Sequence, residues 1–179
     1  MIPTVDQCFE LMKKYGMLEN IKAHSIMVEK VANVIAREII KTGTDVSMSR
    51  ITAGALMHDI GKTPCLNTRD DHAAMGSEIC IINHFEEIAD IVREHVIIKG
   101  FNQEADVNET EIIYYADKRI NHDRVVSLDE RLEHLLIRYA KGNKRIEDLI
   151  EENFILCRKV EKKIFALLSF RPEDLAGMI

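Results

Sequence analysis

The chain has 179 residues, of which 46% are hydrophobic, and its formal net charge is −6 at pH 7. This length and apolar content suffice for one sizeable core, so we treat residues 1–179 as a single domain. The acidic balance disfavours strong binding to nucleic acid, which needs a basic face, and no run of 18 apolar residues predicts a membrane span. An amino terminus without the basic and apolar regions of a secretory signal favours a cytoplasmic protein.

Apolar residues recur near every 3.6 positions along most of the chain, and only three prolines and eight glycines interrupt them. This spacing predicts an all-α fold, a helical bundle of about seven helices. A first helix, capped by Thr4, is expected to reach about Tyr15. A second helix is expected from about Leu18 to Lys41, with Gly43 as the signal that ends it.

The segment from Val46 to Ile60 is apolar almost all round, which is typical of a central buried helix. It ends in the motif His58-Asp59-Ile60-Gly61-Lys62. Gly61 can release the chain from the helix, and Pro64 disfavours its continuation. The His58-Asp59 pair is therefore expected where a buried helix opens into a loop.

Four more polar side chains fall on apolar faces of predicted helices. They are His24 on the second helix, His72 on a helix from about 71 to 83, His95 on a helix that starts near 85, and Asp117 on a helix that starts near 110. Because side chains three and four residues apart share a helix face, all four are expected to point toward the core.

The last part of the chain, residues 128–169, is predicted to form packing helices. Ser127-Leu128-Asp129-Glu130 is a capping box, in which the serine hydroxyl and the glutamate carboxylate satisfy free amide donors at a helix start. A long final helix is expected from Asn143 to about Ser169, with apolar residues in register along one face. We expect this last helix to serve packing alone.

Burying a polar group without a partner costs roughly 2 to 7 kcal/mol, and burying a charge costs more. Two aspartates and four histidines are expected on inward faces here, and a bound cation is their simplest common partner. Nitrogen and oxygen ligands without thiolate suit divalent iron, manganese, zinc, cobalt or nickel. Each residue alone has a plainer interpretation: His24 or His95 could be a hydrogen-bonded core histidine, and Asp117 could cap a helix or pair with Arg119 or Arg124.

The order of these residues resembles the HD-domain metal-dependent phosphohydrolases, whose pattern is a histidine, an HD pair and a distant aspartate. His24, His58-Asp59 and Asp117 match this pattern in order and spacing, and His58-Asp59-Ile60-Gly61-Lys62 is similar to the HDIG variant. The resemblance covers about residues 23–131. It implies an all-α HD-type bundle in which His24, His58, Asp59 and Asp117 ligate a metal ion.

Two further histidines resemble the additional ligands of HDIG members. His72 is followed by Gly76, as in an H-x-x-x-G segment, and His95 is similar to the further histidine of these proteins. The resemblance therefore implies one or two divalent metal ions, with Asp59 able to bridge to the second. Three other histidines show no spacing that ties them to the cluster, and we interpret them as surface residues: His84, His122 and His134.

The resemblance implies a phosphohydrolase that cleaves a phosphate ester or anhydride in a small molecule, with a nucleotide as the expected class. A divalent metal ion lowers the pKa of a water molecule and draws charge from a phosphoryl oxygen. Asp59 is the expected catalytic metal anchor, and Lys62 is a candidate contact to the substrate phosphate, although it could equally be a solvated loop cation. Weaker candidates for the phosphate are Arg69, Lys118 and Arg119.

Three alternatives stay open or are disfavoured on the sequence alone. An HD-GYP protein acting on cyclic di-GMP is disfavoured because the tripeptide Gly-Tyr-Pro is absent. Some HD proteins use a diiron centre to oxidise substrates with oxygen, and their ligand set is similar to this one. Others are non-catalytic regulatory modules with a degenerate site, which six intact candidate ligands argue against. The sequence leaves the metal, the substrate and the oligomeric state open.

Overall fold

The computed structural model describes residues 1–68 and 70–179. Over this range eight α-helices follow in chain order: α1 Val5–Lys14, α2 Glu19–Lys41, α3 Met48–Met57, α4 His72–Ile82, α5 Glu86–Glu94, α6 Glu109–Lys118, α7 Leu128–Leu135 and α8 Lys144–Phe165. An antiparallel hairpin of strands β1 (Ile120–Asn121) and β2 (Arg124–Val125) separates α6 from α7. A π-helical segment, Leu136–Ala140, extends α7, and a 3₁₀ helix, Pro172–Gly177, follows α8. The predicted all-α class is confirmed, and none of the described helices is long and apolar enough to cross a membrane.

Local side-chain caps set several helix ends where the sequence predicts them. The Thr4 hydroxyl accepts a hydrogen bond from the Gln7 backbone N–H, and the Gln7 side chain accepts one from the Thr4 backbone N–H. Ser127 and Glu130 form the same reciprocal pair at the start of α7. After α2, Gly43 adopts a φ of +91°, which glycine reaches without strain.

Helix α3 is the central helix of the fold and contacts α1, α2, α5 and α6. Its side chains enter both hydrophobic cores, one shared with α2, α6 and α8 and the other with α1, α4 and α5. The chain that follows α3 therefore starts in the interior. His58 is 0% exposed and Asp59 is 1% exposed.

The structure differs from the prediction in two places in the carboxyl-terminal half. The hairpin has two residues per strand, too few for a period-two pattern to be visible in the sequence, and His122 at its turn has a left-handed φ of +59°. The last helix ends at Phe165, before the predicted end at Ser169, because the chain turns back to pack Phe170 on Phe165 with ring centroids 5.6 Å apart.

Gly61 follows the HD pair for a different reason from the one expected. Helix α3 ends before Gly61, as expected, but the φ of Gly61 is not in the left-handed region, so its conformational freedom is not what ends the helix. A Cβ on Gly61 would instead lie 2.1 Å from the carbonyl oxygen of His72 and 2.7 Å from the backbone nitrogen of Gly76. The backbone after α3 thus packs directly on the first turns of α4, and this contact positions His72.

Gly61→Ala is expected to lower the free energy of unfolding by roughly 1 to 3 kcal/mol, because the added methyl group must displace the backbone of α4. Gly177→Ala is the matched control, since nothing lies within 4 Å of a Cβ at that position. Chemical denaturation followed by circular dichroism measures both variants. A Gly61→Ala protein as stable as the control would contradict the close packing of α3 and α4.

A buried ion pair ties α8 to α6. Lys163 Nζ lies 2.7 and 2.9 Å from the two carboxylate oxygens of Glu111, and it also donates to the carbonyls of Asn102 and Asp106. Lys163 is 7% exposed and Glu111 is 2% exposed. The last helix was expected to serve packing alone, yet it also anchors the loop that follows His95.

Lys163→Met is expected to destabilise the protein by about 3 to 5 kcal/mol, because Glu111 would stay buried without its partner. Lys162→Met changes the neighbouring exposed lysine of α8 and is expected to alter stability by less than about 0.5 kcal/mol. Thermal denaturation compares the two proteins. Equal melting temperatures would show that the buried pair contributes no net stability.

Candidate metal centre

The structure brings the six predicted ligands together in one cluster between five helices. They lie on α2 (His24), just after α3 (His58 and Asp59), at the start of α4 (His72), just after α5 (His95) and near the end of α6 (Asp117). His24, His58, Asp59 and His95 are buried. The side chain of Asp117 is 13% exposed and that of His72 is 29% exposed, so the cluster opens to solvent beside His72.

Asp59 occupies the middle of the cluster, and its two carboxylate oxygens face different histidines. Oδ2 lies 3.2 Å from Nε2 of His58 and 3.9 Å from Nε2 of His24. Oδ1 lies 3.3 Å from Nε2 of His95 and 3.7 Å from Nε2 of His72. One carboxylate is thus shared between two pairs of imidazoles.

Asp117 completes the first of these groups. Its Oδ1 lies 2.9 Å from Nε2 of His24 and 3.7 Å from Nε2 of His58. Candidate ligand atoms of His24, His58 and Asp59 all lie within 4.8 Å of one another, and so do those of Asp59, His72 and His95. The cluster therefore divides into two sets of donors that have Asp59 in common.

Backbone carbonyls orient three of the four imidazoles. Nδ1 of His58 lies 2.7 Å from the carbonyl oxygen of Ala55, and Nδ1 of His95 lies 2.7 Å from that of Val92. Both histidines directly follow a helix, where the last carbonyls have no partner within the helix and can accept from a side chain. Position at a helix end therefore explains how these two rings are held.

The third oriented imidazole, His24, uses a carbonyl from outside its own helix. Its Nδ1 lies 3.2 Å from the carbonyl oxygen of His122, at the turn of the hairpin. A carbonyl only accepts hydrogen bonds, so Nδ1 carries the hydrogen in each of these three rings. Their Nε2 lone pairs are thereby directed at the cluster, as in metal-binding histidines whose other nitrogen donates to a carbonyl.

This arrangement fits a divalent cation. Among the described residues, His58 Nε2 and Asp59 Oδ1 are buried without a hydrogen-bond partner, which costs free energy unless another group satisfies them. Nε2 of His24 and Oδ1 of Asp117 lie 2.9 Å apart although both offer lone pairs. Ligand bonds of about 2.0 to 2.2 Å would place adjacent ligand atoms about 3 Å apart. All the donors are imidazole nitrogens or carboxylate oxygens.

Both carboxylates of the cluster are held in the ionised form. Burial alone would raise the pKa of Asp59, but the positive charges of His58 and Lys62 outweigh it and hold this pKa well below its usual range. Burial is likewise outweighed at Asp117, whose pKa is lowered by the positive charge of Lys118 and by the neighbouring imidazoles of His24 and His58. The interior thus holds two negative charges that require positive partners.

The imidazoles respond to these charges in different ways. Burial would lower the pKa of His58, but the Asp59 and Asp117 carboxylates outweigh burial and raise it to about 9. A proton on Nε2 of His58 then supplies the positive charge that a bound metal ion would otherwise supply beside the two carboxylates. Burial, assisted by the charge of His95, lowers the pKa of His72 to about 4, and burial also lowers that of His95. These two rings are therefore neutral at pH 7, the form in which an imidazole can bind a metal ion.

The two lysines beside the cluster have different surroundings. Lys62 Nζ lies 2.6 Å from Asp59 Oδ2, and its side chain is 33% exposed at the rim. Lys118 is 4% exposed, and its Nζ donates to the carbonyl of His95 at 2.5 Å and to Asp117 Oδ2 at 3.2 Å. Lys118 is therefore a buried link between His95 and Asp117, whereas Lys62 faces the open side.

Arg119, which was predicted as a weaker phosphate contact, does not join the cluster. Arg119 is 5% exposed and donates to the carbonyls of Val126 and Pro172 and to the Tyr115 hydroxyl, so its guanidinium is already used for packing. Arg69 lies outside the described residues. The alternative partners considered for Asp117 are not adopted either, because this carboxylate pairs with His24 and Lys118.

The contribution of the hairpin to the site is not visible in the sequence. We predict His122 and His134 as surface residues, and the structure has His122 exposed and His134 half-buried, with their rings 5.5 Å apart. The backbone carbonyl of His122 nevertheless orients His24. Every residue has a backbone carbonyl, so the amino-acid type does not indicate this contact, and only the fold reveals it. The helix-end position of His58 and His95 did carry such a signal, since free carbonyls are expected there.

Comparison with known proteins gave several similar relatives. A tRNA (cytidine(56)-2'-O)-methyltransferase from Picrophilus torridus is 30% identical over 87% of the chain, and the match covers 48% of that protein. An uncharacterized protein from Methanocaldococcus jannaschii is 25% identical over 74% of the chain and 85% of its own length. Ribonuclease Y from Fusobacterium nucleatum is 35% identical over 51% of the chain and 18% of that protein. No solved structure gave a significant match.

The chain spans about half the length of the Picrophilus relative and less than a fifth of the ribonuclease Y. The HD domain family matches residues 21–121, which is more than half of the chain and contains all six clustered residues. On this evidence the chain belongs to the HD-domain family.

Proposed function

We propose that this HD domain is a metal-dependent phosphohydrolase that cleaves a phosphate ester or anhydride in a small molecule, with a nucleotide as the expected class. The observation that carries the proposal is the position of Asp59, whose two oxygens face separate pairs of histidines. Members of the HD superfamily are generally metal-dependent hydrolases, which supports hydrolysis as the reaction class.

The two sets of donors would hold one or two divalent ions in this proposal. His24, His58 and Asp117 would bind one ion with Asp59 Oδ2, and His72 and His95 would bind the other with Asp59 Oδ1. Nitrogen and oxygen donors suit iron, manganese, zinc, cobalt or nickel. Such ions, when bound, supply an acidified water molecule and stabilise charge on phosphoryl oxygens.

Lys62 is the side chain of this chain best placed to meet the substrate phosphate. Burial would lower its pKa, but the carboxylates of Asp59 and Asp117 outweigh burial and raise it, so Lys62 stays protonated at neutral pH. Its Nζ lies at the rim of the cluster beside Asp59. An ammonium there can donate to a phosphoryl oxygen and balance the charge that develops as the bond to phosphorus breaks.

The phosphodiester bond of RNA is a second candidate substrate. It is favoured by the names of two relatives, a tRNA methyltransferase and ribonuclease Y, which both refer to RNA. Strong contact along a nucleic-acid backbone needs many basic side chains, and this chain has a net charge of −6. We therefore keep the small nucleotide as the first candidate.

Asp59→Ala is expected to remove the bound metal, because both sets of donors lose their shared ligand. Metal analysis of protein purified without added metal should fall from one or two ions per chain to near zero. Loss of a residue that only hydrogen-bonds to a metal ligand typically lowers activity roughly 10- to 100-fold. The rate of phosphate release by Asp59→Ala should fall by more than this. His95→Gln should keep one ion of two, and Asp90→Ala, an exposed carboxylate on α5, should keep both. Full metal content in Asp59→Ala would overturn the shared-ligand assignment.

Purified protein is expected to release phosphate or a nucleotide product from small phosphate compounds only while its metal is present. The measurement is a screen over mononucleotides, dinucleotides and short RNA, before and after treatment with a chelator and after metal is restored. Oxygen is followed in the same samples. Oxygen uptake with bound iron and no hydrolysis would favour a diiron oxygenase. Metal binding without any turnover would favour a non-catalytic regulatory domain.

A further inference from the structure

Helix α7 and the π-helical segment after it leave much of their apolar surface uncovered. Among residues 128–140 only Leu128 and Ala140 are buried, although the same stretch contains Leu132, Leu135, Leu136, Ile137 and Tyr139. Five side chains line a groove of about 400 Å³, and we call them the α7 face: Asp129, Leu132, Glu133, Leu136 and Ile137. Their positions repeat every three to four residues, so they lie along one side of the helix.

The middle of the α7 face is apolar and in contact with solvent. Leu132 and Leu136 are half-buried, and Ile137 is 72% exposed. While these side chains face water, the free energy that their burial would contribute is not gained. A single exposed isoleucine is ordinary, but apolar side chains that share a groove with a polar border are typical of a protein contact site.

The exposed charges along this stretch of chain change sign near Leu136. Those before Leu136 are acidic and those after it are basic: Asp129, Glu130 and Glu133, then Arg138 and Lys141. The basic residue in the first half, Arg131, is half-buried and donates to Oδ1 of Asn121 in the hairpin, so it does not interrupt the acidic border of the groove. Asp129 pairs with Arg158 of α8 at 2.7 Å, and its side chain remains 82% exposed.

We propose that the α7 face binds the same face of a second copy of this chain, with the two α7 helices antiparallel across a two-fold axis. In a two-fold contact the same patch of both copies meets itself, so the patch must complement itself. The antiparallel orientation places the acidic first half of each helix against the basic end of the other. It also buries Leu132, Leu136 and Ile137 of both copies between the helices.

The charge pattern is the reason to prefer a second copy over another protein. An acidic groove alone would suit any helix with basic side chains beside an apolar stripe. A second copy supplies such a helix and also brings its own acidic half to Arg138 and Lys141, so both ends are matched. A parallel arrangement would instead place Glu133 beside Glu133 of the other copy, which is unfavourable. This inference does not depend on the proposed hydrolase activity.

Sedimentation of the full chain over a wide range of concentration tests the contact. The wild type is expected to form a dimer. Ile137→Glu is expected to raise the Kd of the dimer at least about tenfold, or about 1.4 kcal/mol, because it places a charge in the groove beside Glu133. Ile82→Glu is the matched control: Ile82 is 70% exposed on α4 and lies outside the α7 face, so this variant should keep the wild-type Kd.

Reversed charges test the orientation of the two helices. Glu133→Lys and Lys141→Glu are each expected to weaken the dimer severalfold, since each places like charges together across the two-fold axis. The double variant restores opposite charges and should recover most of the lost affinity. Recovery of this kind would not follow from damage to the folded monomer, and circular dichroism verifies that every variant keeps its helical content.

Two results would overturn the proposal. The first is a wild type that stays monomeric at every concentration, which would leave the α7 face to a different protein. The second is a dimer whose Kd is the same in Ile137→Glu as in Ile82→Glu, which would place the contact elsewhere on the molecule. Neither result bears on the metal centre, so the proposed function would stand in both cases.

Discussion

Two ionised carboxylates in the protein interior, Asp59 and Asp117, impose the constraint on which the rest of this structure depends. An unpaired charge in such a place would cost far more than a folded domain of this size can spare. The surrounding side chains supply the compensation, with four imidazoles and two lysines directed at the two carboxylates. The central helix α3 leads the chain into the interior, and Asp59 lies two residues after its end.

Helix ends determine how the compensating groups are presented. His58 and His95 each follow the last residue of a helix and donate from Nδ1 to a carbonyl one turn back, which leaves Nε2 free for a ligand. Gly61 then allows the backbone after α3 to touch the first turns of α4, so that His72 approaches Asp59. Ordinary helix-terminal chemistry and one missing side chain thus assemble much of the centre.

The positive side chains around the centre divide into two groups with different surroundings. Lys118 and Arg119 are buried and make their hydrogen bonds to backbone carbonyls, the Asp117 carboxylate and the Tyr115 hydroxyl, so they maintain the structure. Lys62 faces the open side of the cluster, where its side chain is 33% exposed. This division is why we assign phosphate binding to Lys62 and not to Lys118 or Arg119.

The sequence by itself determined the helical class, several helix ends and the six residues of the candidate centre. Caps such as Thr4 and Ser127 act on atoms three residues away, and polar residues on apolar faces are visible from a spacing of 3.6. The tertiary structure alone decided the contacts between distant parts of the chain. The His122 carbonyl that orients His24, the contact of Gly61 with α4 and the different surroundings of Lys62 and Lys118 all arise this way. Local patterns record what a residue does within its own helix, whereas the partner it meets across the fold depends on how the helices pack.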